Sequence, residues 1–323
     1  MTCPWQLYWV IRWEYINMIQ RRYNDYNTYL RSVFGERVQK IVIDAGLSCP
    51  NRDGTLSEGG CIYCNAKGSG SGAFIRGISI HQQLEQGKEI MAKRYKAKKF
   101  LAYFQSFTNT YTSCEKMKAM YDEALSVHGT VGLAIGTRPD CIDENRLDLI
   151  ESYTDDYLVW IEYGLQSAHN ATLKFINRGH DFNCFKKAVE MTKGRGINIC
   201  AHVILGLPGE TRNMMLDTAR ILAELGIDGI KIHLLYVIKK TPLEVLWRKG
   251  KYKCMNQHDY VQTLCDILEI LPENVIIQRI TGDPHSDELA APQWAMNKNE
   301  TFALIQNTLE QRDSWQGKAR YPD

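Results

Sequence analysis

The 323-residue chain has no strong net charge, no secretory leader, no segment suited to crossing a bilayer and no low-complexity linker. A formal charge of +2 and a pI near 8.0 remove any argument for nucleic acid from composition alone, without excluding such a partner. The first residues lack the small-residue cleavage site of a signal peptide. The ten cysteines are therefore read in a reducing cytoplasm, free for metal or redox chemistry, and no structural disulfides are expected. With no linker to cut at, the length suits one large α/β domain with an ample core.

The N-terminus is unusual in carrying Trp5, Trp9 and Trp13 at four-residue spacing among Leu7, Val10 and Ile11. That pattern suits an amphipathic helix docking on the body or on a membrane surface, and it is too short and polar to span a bilayer. Residues 1–20 are otherwise read as an extension, with Met18 as the alternative start.

The cysteines are not evenly spread. Cys49, Cys61 and Cys64 share one glycine-rich loop, with eleven residues between the first two and two between the last two. This is metal-ligand spacing. Structural zinc prefers four closed ligands, and the next candidates, His81 and Cys114, are distant in sequence. A four-iron cluster held by three cysteines keeps one iron open to a substrate or cofactor, so the trio points to a catalytic cluster. Buried structural thiols or a zinc loop are the plainer readings.

The loop resembles the radical S-adenosylmethionine (SAM) enzymes, with Tyr63 just before the last cysteine. The eleven-residue spacing departs from the usual three and matches the subgroup that includes the Elongator catalytic subunit and the YhcC/YtqA-type bacterial proteins. The string Asp44-Ala45-Gly46-Leu47-Ser48-Cys49-Pro50-Asn51-Arg52-Asp53-Gly54-Thr55 is similar to the latter. The resemblance implies a [4Fe-4S] cluster on Cys49, Cys61 and Cys64 whose open iron chelates SAM. One-electron reduction then yields methionine and a 5′-deoxyadenosyl radical, with an electron donor such as flavodoxin or ferredoxin. No TRAM-like or acetyltransferase domain is recognisable after the barrel, so the methylthio transfer and acetyl-CoA chemistry of two relatives are not expected.

Strand-like and helix-like runs alternate along the chain. Strands are expected at 38–44, 100–105, 131–136, 157–162, 197–205 and 229–235, and helices near 80–95, 114–128, 144–152, 182–193 and 213–225. Strand-helix alternation implies parallel pairing and right-handed crossovers. The expected fold is α/β, a partial (β/α)6 radical SAM barrel over residues 21–245. A helical and strand extension over 246–323, with helices at 257–271 and 300–311 and a short apolar stretch at 275–277, would close its open side.

In such barrels chemistry gathers at the C-terminal ends of the strands. The polar residues there are Gln105 and Asn109 after the second strand, Arg138 after the third, Glu162 and Gln166 after the fourth, and Gly206 after the fifth. The resemblance implies that these, with Tyr63 and Arg178 of the string Asn177-Arg178-Gly179-His180, contact SAM. An ion pair between Arg138 and Asp140, and a salt bridge of Glu162 inside the barrel, are the alternatives. His202, Lys231, His233, Tyr236 and the late turn 278–285 are candidates for the substrate side. The glycine-serine run 68–72 is either a connector or a SAM-side loop, and the basic run 93–99 is a solvated helix end or a phosphate contact.

The resemblance further implies a tRNA substrate, with conversion of a wobble uridine's carboxymethylaminomethyl group to aminomethyl. A peptide or small-molecule substrate is the alternative within the class, and a zinc-stabilised binding protein the alternative outside it. No DNA or membrane partner is expected.

Overall fold

A computed structural model describes residues 22–65, 68, 76–282 and 284–320. The tryptophan-rich segment and most of the glycine-serine run lie outside the described residues. Helix α1 (Tyr26–Phe34) leads into β1 (Val38–Ile43), α2 (Ile80–Tyr95), β2 (Lys99–Phe104), α3 (Cys114–Leu125), β3 (Thr130–Thr137) and α4 (Glu144–Glu151). The alternation continues with β4 (Leu158–Gln166), α5 (Asn170–Phe175), α6 (Phe182–Thr192), β5 (Asn198–Leu205), α7 (Arg212–Leu225) and β6 (Gly229–Leu234). The C-terminal part adds β7 (Val237–Ile238), α8 (Pro242–Arg248), α9 (Gln257–Ile270), β8 (Ile276–Arg279), β9 (Leu289–Ala291) and α10 (Lys298–Gln311).

Local chemistry sets these boundaries. Asp25 accepts from the backbone of Asn27 and Thr28 to start α1, and Gly35 ends it at a φ of 72°. Ser79 and Gln82 form a reciprocal capping box at α2, and Gly226 closes α7 at a φ of 63°. The inner strands, covered on both faces, read as nearly continuous apolar runs.

The sheet is parallel throughout, in the order β1-β2-β3-β4-β5-β6-β8. Six strands were expected; the structure has seven, because the stretch at 275–277 pairs with β6. The segment beyond 245 therefore extends the barrel's own sheet as well as packing helices against it. The short helices α5 and α8 and the β7-β9 pair have no clear periodicity at their length and escape sequence reading. No helix among the described residues is long and apolar enough to cross a membrane.

Helix α1 plugs the N-terminal end of the barrel. Tyr26 and Tyr29 meet Trp160 edge-on at 5.7 and 5.9 Å between ring centroids. The basic run at the end of α2 lies at this end too, where Lys99 opens β2 and pairs with Glu36. It is thus remote from the strand ends that carry the chemistry.

Close backbone approach constrains β3. A Cβ on Gly132 would stand 2.1 Å from the Leu158 carbonyl oxygen and 2.8 Å from Leu101 Cδ2. Gly132→Ala is expected to destabilise the protein by about 1–3 kcal/mol through overpacking. Thermal unfolding checks this, and an unchanged Tm would contradict the close β3-β4 contact.

Candidate active site

The cysteine loop leaves the C-terminal end of β1 and folds on itself. Backbone N–H groups of Arg52 and Asp53 donate to the Cys49 carbonyl at 2.8 and 3.3 Å, and the Cys64 N–H donates to the Cys61 carbonyl at 2.9 Å. Gly59 and Gly60 turn the chain at φ values of 83° and 78°.

The string Asn177-Arg178-Gly179 ties this loop to the barrel. Asn51 Nδ2 donates to the Asn177 carbonyl at 2.6 Å, and Asn177 Nδ2 donates to the Gly60 carbonyl at 2.9 Å. Gly179 is held at a φ of 77°, where a Cβ would sit 2.6 Å from Asn51 Oδ1.

Two arginines face the thiols. Arg52 Nη1 lies 3.3 Å from Cys64 Sγ, and the buried Arg178 reaches Cys61 Sγ at 3.6 Å, with Asn51 Nδ2 at 3.7 Å from the same sulfur. Arg178 gets there by crossing Gly164, where any Cβ would stand 2.6 Å from its Nη2. Burial works against the Arg178 cation, but Cys61 and Tyr63 hold its pKa above the ordinary guanidinium value. Burial pushes the Cys64 thiol up to about 11, and Cys61 adds to this while Arg52 opposes it.

Among the described residues no three of His, Cys, Asp and Glu could hold one metal ion. His81 and Cys114 do not join the trio: the His81 backbone binds Glu123, and Cys114 opens α3. Three thiols with cationic neighbours fit an anionic cluster larger than a single ion.

The loop after β2 borders this site. The Thr108 N–H donates to the Ser48 carbonyl at 3.2 Å. Asn109 Nδ2 spans the Phe104 and Gly136 carbonyls at 3.0 and 2.9 Å, leaving Asn109 Oδ1 buried without a partner. Ser106 Oγ and Thr108 Oγ1 are also buried and unpaired. Such clustering of orphaned oxygens beside the thiols fits a ligand with its own donors, such as the amino group of SAM. Gln105, half-buried, directly follows β2, and Tyr63 packs with the small apolar cluster of Leu173, Ile176 and Leu207.

At the far side of the barrel mouth, Gln166 turns at a φ of 80° beside Gly164. Gly206, at a φ of 83°, borders a cleft of about 560 Å³ with Arg212, Lys251, Tyr252 and Met255. The Tyr252 hydroxyl donates to the Gly206 carbonyl at 2.9 Å.

Two of the expected ligand residues form the ion pairs that were their alternatives. Arg138 grips Asp140 through Nε and Nη2 at 2.8 and 2.7 Å, and its Nη1 donates to the Arg178 carbonyl at 2.8 Å. It braces the turn that aims Arg178. Glu162, expected at the ribose of SAM with a salt bridge as the alternative, is engaged by three side chains. Lys40 Nζ lies 2.5 Å from one of its oxygens, His202 Nε2 lies 2.9 Å from the other, and Lys231 pairs with that second oxygen too. Burial alone would raise the Glu162 carboxyl, but Lys231 and Lys40 hold it well below the usual range. With both oxygens occupied, it serves as the counter-ion of the barrel interior. Lys40 went unnoticed in the sequence, although a lysine alternating with apolar residues in β1 was a signal.

Residues 53–234 match the radical SAM superfamily and 227–311 its C-terminal domain. The chain belongs to the radical SAM superfamily. It is 42% identical to the Bacillus subtilis protein YtqA over 299 residues, 93% of each chain. A tRNA uridine(34) acetyltransferase of Methanocaldococcus infernus is 28% identical over 159 residues, 48% of this chain and 29% of that one. The structure of M. infernus Elp3 with an N-terminal deletion shares the fold, with a TM-score of 0.66 at 19% identity; the match covers 86% of this chain and 64% of that one. As a radical SAM protein, the chain has a [4Fe-4S] cluster and SAM as its cofactors.

Proposed function

We propose that this radical SAM enzyme converts a carboxymethylaminomethyl side chain on a tRNA wobble uridine to aminomethyl, with SAM as the two-electron oxidant, water as co-reactant and the two-carbon acid released as glyoxylate. The carrying observation is that Arg52 and Arg178 reach the thiols of Cys64 and Cys61, with Cys49 on the same loop, at the mouth of a barrel shared with Elp3. Partial likeness to a tRNA uridine(34) acetyltransferase supports the substrate. When bound, the cluster supplies reductive cleavage of SAM and so hydrogen-atom abstraction from an unactivated carbon.

The chain's own residues have the remaining tasks. Cys49, Cys61 and Cys64 ligate the cluster, while Arg52 and Arg178 offset its negative charge. Gln105, Asn109 and the unpaired hydroxyls of Ser106 and Thr108 receive the methionine part of SAM. Tyr63, Gln166 and Gly206 line the rest of its site, and Arg138 acts by bracing Arg178. The substrate base enters from a splayed anticodon loop in the cytoplasm, where a flavodoxin- or ferredoxin-type donor supplies the electron.

Anaerobically reconstituted protein should form 5′-deoxyadenosine from SAM faster with tRNA bearing the carboxymethylaminomethyl group. Digested tRNA should lose that nucleoside and gain the aminomethyl form. SAM cleavage indifferent to tRNA, with no nucleoside change, would transfer the chemistry to a peptide or small-molecule substrate.

A further inference from the structure

The barrel interior has more cations than anions around Glu162. Lys40 and Lys231 share this one carboxylate, and the charge of Arg279 on β8 acts on Lys231 as well. A shift of register between Ile230 and Lys231 sets Lys231 opposite Arg279. Both Gln278 and Arg279 thereby act toward the interior: Gln278 Oε1 accepts from Lys40 Nζ at 2.7 Å, and the Arg279 charge reaches Lys231, His202 and His233. Among the described residues no carboxylate pairs with Arg279.

The neutral groups add to this imbalance. Gln278 Nε2 is a buried donor without a partner. Lys231 Nζ also donates to the Tyr103 hydroxyl at 3.0 Å, which with Glu162 accounts for two of its three N–H groups. His202 and His233 face each other at 5.7 Å between ring centroids, and burial keeps both well below the ordinary imidazole pKa. They contribute no lasting positive charge at neutral pH, yet no negative charge either. An arginine, a shared lysine and an unpaired amide N–H together call for an acceptor that the described chain does not provide.

We propose that this interior binds the anionic end of the substrate, a carboxylate on a short flexible arm, with Arg279 and Lys231 as its recognition residues. The inference rests on the wobble-uridine reading, whose side chain ends in such a group. Depth selects the carboxylate over a backbone phosphate. Glu162 and Lys231 are only 1% and 3% exposed. At that depth the site calls for a narrow terminal group, since a phosphate flanked by two riboses would bring both sugars into the packed interior. A guanidinium also matches the two oxygens of a carboxylate with parallel hydrogen bonds.

The test uses the reconstituted full chain with SAM, and four probes: 5-carboxymethylaminomethyluridine, 5-aminomethyluridine, acetate and inorganic phosphate. Binding is measured for the unaltered protein, Arg279→Gln and Arg279→Lys at equal iron content. The unaltered protein should favour the carboxylated nucleoside over the amine by about tenfold or more, the scale of a charged hydrogen bond. Arg279→Gln should remove that preference and Arg279→Lys should restore part of it. Equal binding of both nucleosides, unaffected by Arg279→Gln, would overturn the inference. So would tighter binding of phosphate than of acetate. Should acetate bind in an Arg279-dependent way while tRNA is unmodified, the anionic pocket stands and the wobble-uridine reading falls. If tRNA is converted with an unchanged KM in Arg279→Gln, the reverse holds.

Discussion

Alanine at Cys61 is expected to abolish cluster assembly and reduce 5′-deoxyadenosine formation to background. Cys61 is the buried member of the trio, and both Arg178 and Asn51 converge on its sulfur. Removing the thiol deletes one of three ligands and leaves the Arg178 guanidinium facing a space instead of an anion, so nothing nearby replaces it. Cys49→Ala and Cys64→Ala should act alike. Iron and sulfide content, with the visible absorption of anaerobically reconstituted protein, decides the matter. A triple variant that keeps a full cluster would show that the ligands lie elsewhere.

Glu162→Ala should be the most destabilising single change in the barrel interior, at about 3–5 kcal/mol, because it strands Lys40 and Lys231 without a counter-charge. For a chain of this size that lowers Tm by about 5–15 °C. The same carboxylate gives the loss a pH signature. Its pKa is depressed in the fold, so its stabilisation is fully present above the ordinary glutamate pKa of about 4.3 and is lost as the pH falls through the lower folded value. The stability gap between unaltered protein and Glu162→Gln should accordingly be wide at pH 7 and narrow progressively below about pH 4. If Glu162→Ala melts with the unaltered protein at pH 7, the carboxylate does not hold these cations, and its assignment returns to the ribose of SAM.

Much of the barrel was legible because its signals are local. The apolar runs of β2 to β6, the Asp143 cap and the αL glycine after α7 each act within a few residues. The seventh strand was visible only as an apolar stretch. Its membership in the sheet depends on pairing with β6, some forty residues earlier. Helices α5 and α8, of six and seven residues, are too short to display a period.

The same division runs through the site. The cysteine loop could be read from the chain because Cys61 and Cys64 are set by one turn, and Cys49 returns through glycines whose conformations are local. The sequence by itself therefore determined the cysteine spacing of the loop, the strand-helix alternation and the polar strand ends. Only the tertiary structure decided what those polar residues do. Lys40 and Lys231 lie 122 and 69 residues from Glu162, and Arg178 lies 117 from Cys61. Side chains so far apart in sequence become neighbours through barrel curvature and strand register, and a buried charge takes its role from whichever partners that packing supplies.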